Sequence, residues 1–369
     1  VAVGGVAGVL VVAVVLVTGV AWYFSGVALT VVRDPEPRVT VQAVDAGQSI
    51  ALPPGDPTPP GRHSVRHPDG WGVMTDRVRG GGDDPVVREW DDVRGVLPTE
   101  PVTGVVDQDA IVGDPSSVGL GFEDVVVAGE LGDLPTWLVP ADGPGDTWVV
   151  FAHGRGGTRE EALRYLPLWH ELGHPVLVPS YRNDPGAPAA PDGRYGLGET
   201  EWRDLDAAVA YALDLGARSV VLAGWSMGGA IVLQVLDRSE HADAVSGVVL
   251  DAPVVDWVDV LVHQGSVVGL PEWWSRAAVA LVEVRGGLDL DDYDWVERAA
   301  ELPSDVPIYL VHSDGDTYVP NRRSVALARA RPDIVTLVRD SAAEHTREWN
   351  VDPEGYEADM RAWFRSELR

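Results

Sequence analysis

From Trp148 to the C-terminus, short apolar runs alternate with longer amphipathic stretches, the order produced by a parallel sheet built from βαβ units. The runs predict strands at Trp148–Ala152, Pro175–Pro179, Ser219–Ala223, Gly247–Leu250, Ile308–Val311 and Ile334–Val338. The amphipathic stretches predict helices at Thr158–Leu172, Glu201–Leu215, Met227–Arg238, Asn321–Arg331 and Pro353–Glu367. Between Pro253 and Pro303 the alternation stops, and a tryptophan-containing stretch predicts a helical insertion.

Upstream the pattern differs. Residues 33–145 are rich in Pro and Gly and carry only short β-like runs, such as Val39 to Val44, Val86 to Val87 and Val125 to Val127. The stretch Leu52 to Pro60 reads as a linker and the rest as a small, loop-rich β-region, with Trp71, Trp90 and Trp137 arguing that part of it packs. Residues 1–32 hold no charged side chain, enough to cross a bilayer core that needs about 20 apolar residues, so they predict a transmembrane anchor. Trp22 and Tyr23 suit the membrane interface, and Arg33 and Asp34 mark the exit into water. A cleaved signal peptide ending near Ala21 is the competing reading, but its apolar core would be unusually long. A single-pass protein with its folded part outside the cytoplasm is the expectation.

The formal net charge of −29 sets nucleic acid and anionic lipid headgroups aside as partners, since the average surface field repels both. Lysine is absent and Ala, Val, Gly and Asp are heavily used, which points to a GC-rich bacterial genome, with a salt-adapted source as the rival explanation. With no cysteine there is no disulfide, thiol nucleophile or thiolate metal site.

Gly224-Trp225-Ser226-Met227-Gly228 fits G-x-S-x-G, a weak signal by itself in a chain with 41 glycines. Its setting strengthens it: Val220-Val221-Leu222-Ala223 leads in as a strand and Ala230-Ile231-Val232-Leu233 leads out as a helix. A sharp turn there lifts the serine hydroxyl out of the sheet at a helix N-terminus, whose partial positive charge favours a developing oxyanion. Glycines at 224 and 228 keep side chains from colliding across the turn.

These residues resemble the nucleophile elbow of the α/β-hydrolase superfamily, and within it Gly-Trp-Ser-Met-Gly-Gly resembles bacterial membrane-anchored serine aminopeptidase-like and esterase-like hydrolases. The resemblance covers about Trp148 to the C-terminus. It implies an α/β fold, a mostly parallel sheet with helices on both faces and a helical cap at about 253–303, preceded here by the anchor (1–32) and the β-rich region (33–145), with the hydrolase domain at 146–369. His153-Gly154-Arg155-Gly156-Gly157 resembles the family's H-G-x-x-G oxyanion loop, which implies that the Arg155 and Met227 N–H groups hold the oxyanion. The family's order of nucleophile, acid, base leaves His241, His263, His312 and His345 as candidate bases. His312 ends a strand too early, and His345 follows the last predicted strand, so His345 is selected. His312-Ser313-Asp314-Gly315-Asp316-Thr317-Tyr318-Val319-Pro320 resembles H-G-x-x-D-x-x-V-P, which selects Asp316 as acid. Asp314 shapes the turn, and Asp251 is a further option.

The resemblance implies a serine hydrolase, most simply a carboxylic ester hydrolase acting through an acyl-enzyme, with no metal or organic cofactor and a small acyl substrate. A peptidase or acyltransferase on the same residues, or a retired membrane-tethered binding protein, are the alternatives. His153, Gly154, Tyr181, Trp225 and Trp257 are candidate pocket residues. For Tyr181-Arg182-Asn183-Asp184, a loop held by its own side-chain hydrogen bonds is an equal reading. Trp257, Trp273, Trp274 and Trp295 either roof the pocket or form the insertion's own core.

Overall fold

The computed structural model describes residues 18–32, 38–55, 58, 60–107, 110–143, 145–339 and 342–368. Its first element is a helix, α1 (residues 18–29). Ala21, Ser25 and Leu29, spaced four apart on one helical face, are buried against the body of the molecule, and Leu29 joins the main core. Thr30 then bridges to Arg194. The expected anchor is therefore divided. Residues 1–17 lie outside the described residues, whereas 18–32 are built onto the folded domain by this buried stripe. Among the described residues no helix is long and apolar enough to cross a membrane.

The region read as loop-rich holds a closed barrel. β1 (Arg38–Val44), β2 (Ser49–Pro54), β3 (His63–His67), β4 (Gly70–Gly81), β5 (Asp84–Gly95) and β6 (Val102–Asp107) close in the order β1-β2-β5-β4-β3-β6. Alternate residues, among them Val41, Ile50, Leu52, Val65, Met74 and Trp90, fill its interior. The linker expected at Leu52 to Pro60 is corrected in its first part, because Leu52 to Pro54 belong to β2 and Leu52 is in the barrel core. In a small barrel only every second residue is apolar, and glycine turns break the runs, so the sheet pattern is faint in the sequence.

The large sheet has eight strands, two more than predicted. β7 (Glu123–Gly129) and β8 (Gly132–Val139) form an antiparallel hairpin on its edge. They are followed by β9 (Thr147–Ala152), α2 (Leu166–Glu171), β10 (Val176–Pro179), α3 (Trp202–Asp214), β11 (Ser219–Trp225), α4 (Met227–Arg238) and β12 (Val245–Asp251). The insertion supplies α5 (Trp257–Val267) and α6 (Glu272–Gly286), and the chain ends with β13 (Ile308–Val311), α7 (Arg322–Ala330), β14 (Val335–Val338), α8 (Glu348–Val351) and α9 (Pro353–Glu367). The order is β14-β13-β12-β11-β9-β10-β8-β7, so the sheet domain starts near Glu123 and not at 146. The predicted helix over Thr158–Leu172 is a 3-10 turn (Arg159–Arg164) followed by α2, which begins beside Pro167, a residue with no N–H to continue a helix.

Both faces of the central strands are covered, which is why they read as unbroken apolar runs. On β11, Val220 and Leu222 face α3 and α4, whereas Val221, Ala223 and Trp225 face α2 and α9. The chain passes from β9 to β10 on one side and returns to β11 on the other, so the strand order reverses between β9 and β11. A crevice opens at the carboxyl ends of strands at such a reversal.

The barrel is fastened to the sheet domain at Asn350, whose backbone O accepts from Arg62 N (2.8 Å) and whose Nδ2 donates to Arg62 O (2.8 Å). Arg66 bridges Asp107 of the barrel and Glu160 of the sheet domain. Gly61, at φ +98°, passes so close to this seam that a Cβ would lie 2.5 Å from Asn350 O. Gly61→Ala is expected to lower stability by about 1–3 kcal/mol in a urea melt; an unchanged midpoint would mean that the seam carries no load.

Candidate active site

β11 ends at Trp225, and Ser226 occupies φ 53°, ψ −117°, a conformation costly for a residue with a side chain. Three backbone bonds hold it there: Ser226 N donates to Asp251 O, and Ser226 O accepts from Gly229 N and Val254 N, all at 3.0 Å. The turn depends on two glycines. A Cβ on Gly224 would stand 2.4 Å from Gly228 O, and one on Gly228 would stand 2.1 Å from Ala152 O of β9. Ser226 thereby stands at the start of α4 and in the crevice.

His345 lies in the loop between β14 and α8. Its Nε2 is 2.9 Å from Ser226 Oγ and its Nδ1 is 2.7 Å from Asp316 Oδ2. Asp316 is fully buried, and its Oδ1 accepts the N–H groups of Tyr318 and Val319, both at 2.8 Å. Burial alone would raise its pKa. Hydrogen bonds from His312 and His345 outweigh burial and hold the carboxyl well below the usual carboxylate range. His312 supports this acid from behind, with Nε2 3.2 Å from Asp316 Oδ2 and Nδ1 2.8 Å from Ser324 Oγ. Asp314 lies outside the chain of contacts and braces the turn through Asn321 and Arg339. Asp251, the buried last residue of β12, accepts from Tyr356 Oη at 2.9 Å. Ser313 Oγ donates to Ala343 O at 2.6 Å, tying the acid loop to the histidine loop.

The loop after β9 presents its backbone to the same point. Gly154 packs against the serine, where a Cβ would lie 3.3 Å from Ser226 Cβ. Its N–H donates to Glu161 Oε2 at 2.8 Å, and its carbonyl O accepts from His153 Nδ1 (2.9 Å) and Tyr181 Oη (3.0 Å). In a trans peptide the N–H points opposite the preceding C=O, so these buried donors turn the Arg155 N–H away from themselves. Met227 is the first residue of α4, and its N–H has no acceptor within its own helix. An arrangement of this kind can bind an anionic tetrahedral oxygen.

His153 is thus a support beneath the loop and not a pocket residue. Its Nε2 is 2.8 Å from Asp184 Oδ2, and the ring stacks on Tyr181 at 4.1 Å. Both ring nitrogens face acceptors, which only the imidazolium satisfies in full. Burial would lower its pKa, but the Asp184 and Glu161 carboxylates outweigh that and raise it to about 9. Asp184 also accepts from Tyr181 N at 2.8 Å, and Arg182 is paired with buried Asp204, so this segment is a loop held by its own hydrogen bonds.

Ser226 stands between two cavities. One, of about 220 Å³, is apolar and is lined by Trp257, Val260, Leu261, Val279 and Val282 of the insertion and by Phe24, Val27 and Ala28 of α1. The other, of about 330 Å³, is polar and is lined by Gly154, Glu161, Glu344, His345, Thr346 and Arg347. Trp257 therefore borders the apolar cavity, with its Nε1 donating to Leu197 O at 2.8 Å, and Gly154 borders the polar one. Tyr181 is buried behind the loop. Trp225 is also absent from both: as the last residue of β11 it takes the opposite face from the cavity and packs on Phe151, Tyr165 and Trp169. In the insertion Trp295 is buried, Trp274 half-buried and Trp273 exposed.

Residues 149–367 match the sequence profile of the alpha/beta hydrolase family. The chain belongs to that family. It is 24% identical over 217 residues to the uncharacterized protein YfhR of Escherichia coli K12, a match covering 58% of this chain and 69% of that one. Among solved structures, the esterase Pf2001 of Pyrococcus furiosus superposes with a TM-score of 0.55 at 18% identity, over 70% of this chain and 98% of that one. Est1E of Butyrivibrio proteoclasticus, solved with ferulic acid bound, superposes with a TM-score of 0.51 at 16% identity, over 66% and 99% of the two chains. These likenesses carry the fold. The family match begins at residue 149, so the whole barrel lies outside it.

Glu161, Asp184 and His312, which orient the hydrolase loops, were not singled out for these roles by any sequence spacing. Only the tertiary arrangement of the strands brings their loops together. Because the folded pKa of His153 lies above the ordinary 6.5, its contribution to stability is complete below pH 6.5 and is lost as pH rises through 9. The stability difference between the wild type and His153→Gln is expected to shrink by about 2–4 kcal/mol between pH 6 and pH 10, read from urea melts. A difference that stays constant across that range would contradict a buried imidazolium.

Proposed function

We propose that this family member is a serine hydrolase that cleaves carboxylic esters through an acyl-enzyme, with Ser226 as nucleophile, His345 as general base and acid, and Asp316 as the group that orients the imidazole. The hydrogen-bonded chain from Ser226 Oγ to His345 to Asp316, opening onto an apolar and a polar cavity, carries this reading. Ser226 Oγ attacks the ester carbonyl while His345 Nε2 takes its proton. The Arg155 and Met227 N–H groups bind the tetrahedral oxyanion, and collapse expels the alcohol, protonated by His345. Water, deprotonated by His345, then attacks the acyl carbonyl and frees the carboxylic acid and Ser226. The apolar cavity suits the acyl group, and the polar one suits the alcohol and the entering water. That Pf2001 is described as an esterase supports ester cleavage over the amide alternative.

We also propose that the uncharged run before Thr18 tethers the protein to a membrane. Trp22 and Tyr23, exposed on α1 directly after it, support this.

A fluorophosphonate probe is expected to label the wild type and not Ser226→Ala. Asp316→Asn is expected to lower kcat on p-nitrophenyl acetate by roughly 10³–10⁴-fold. Undiminished labelling of Ser226→Ala would overturn the assignment, and a parallel panel of p-nitroanilides separates ester from amide cleavage.

A further inference from the structure

α1 forms one wall of the apolar cavity. Phe24, Val27 and Ala28 face α5 and α6 across it. Arg285 of α6 joins the two sides: it donates to Trp22 O and Ser25 Oγ, both at 2.6 Å, and its guanidinium lies 4.0 Å from the Trp22 ring. From the oxyanion side, Arg155 donates to the carbonyls of Val27 (2.6 Å) and Thr30 (3.0 Å), which fixes the end of α1 beside Ser226.

The outer surface of this assembly carries an apolar stripe beside the exposed Glu272–Arg276 ion pair. α6 buries Ser275, Ala278, Val279 and Val282, yet its opposite stripe of Trp273, Ala277, Ala280 and Val284 also carries no polar side chain. Trp273 is 60% exposed and Val284 79% exposed, and they lie eleven residues apart, close to three full helical turns, on one line. On α1, Trp22 (55%) and Tyr23 (66%) are exposed in the same way. Val27 of α1 and Val268 at the end of α5 both border the cavity and are themselves exposed, so the cavity opens to solvent between these two helices. Residues 1–17, which precede α1 in the chain, carry no charge.

We propose that the outer faces of α1 and α6 dock on an uncharged lipid surface, so that the cavity takes the acyl chain of an amphiphilic ester directly from the lipid phase. This rests on the ester-hydrolase reading for the chemistry, and on the exposed apolar stripes for the docking. Tyrosine and tryptophan with an apolar surround sit favourably at the headgroup level of a bilayer. The strongly negative protein favours zwitterionic over anionic headgroups.

The absence of cysteine makes the test direct. Single variants Tyr23→Cys, Trp273→Cys and Val284→Cys of the full chain carry an environment-sensitive fluorophore. Leu215→Cys, at the far end of α3 and so at the opposite edge of the sheet from Ser226, is the control. On phosphatidylcholine vesicles the three labels are expected to shift to the blue and to gain protection from iodide, while the control does not change. Labels that stay open to iodide on vesicle-bound protein would overturn the proposal, as would labels already protected without vesicles, which would mean that a protein partner covers the face. In a second arm, Tyr23→Ser/Trp273→Ser is expected to hydrolyse a long-chain ester held in the vesicles about tenfold more slowly, with p-nitrophenyl acetate hydrolysis unchanged. Equal loss on both substrates would overturn it too. Failure of acetate hydrolysis in the wild type would count against the ester-hydrolase reading alone, since the fluorescence arm needs no turnover.

Discussion

The whole site depends on how closely the start of α4 approaches β9. Gly228 rests on the carbonyl of Ala152 at a distance that excludes any side chain, and this contact exists only because β9 and β11 are neighbours at the reversal of strand order. It sets the strained serine of one strand beside the glycine loop of the other. The cost of the Ser226 conformation, of order 1–3 kcal/mol, is offset by the three backbone bonds that hold it and by a core in which Val221, Ala223 and Trp225 are completely buried.

The same loop is held from two sides by different means. Behind it, a protonated His153 between Asp184 and the Gly154 carbonyl, with Tyr181 alongside, fixes the direction of one peptide plane. In front, the Arg155 side chain reaches outward to the last carbonyls of α1, where a cation also complements the negative end of the helix. One residue therefore offers its backbone to the reacting centre and its side chain to the segment that walls the apolar cavity, so the placement of α1 and the shape of the oxyanion loop are linked.

The histidine and acid loops are joined independently of the serine. Gly315 packs against the carbonyls of Ala342 and Ala343, and Ser313 bonds both Ala343 and Glu348. Asn350, four residues beyond the Thr346 carbonyl that Arg164 holds, is also the point where the barrel attaches. The barrel thus bears on the segment that carries His345, although none of its described residues lines either cavity around Ser226.

Central parallel strands are buried on both faces, so their apolar runs, and the helices between them, stood out along the chain. The glycine-flanked Ser226 stood out by its strand–turn–helix setting, because turn chemistry is local, whereas Asp316 and His345 were selected only through the resemblance to the family's order of residues. The barrel and the edge hairpin were faint, since only one face of each strand is covered and the apolar signal halves. What tertiary structure alone decided is direction and company. Trp225 adjoins the serine in sequence but faces the other side of the sheet, and alternation gives no sign of which side holds the cavity. His153 is an imidazolium only because Asp184, 31 residues away, is brought to it. The apolar run before the barrel looked like bilayer sequence throughout, yet its described part, α1, is a wall of the cavity, because a stripe of Ala21, Ser25 and Leu29 fits the protein and hydrophobicity alone does not distinguish a lipid neighbour from a protein one.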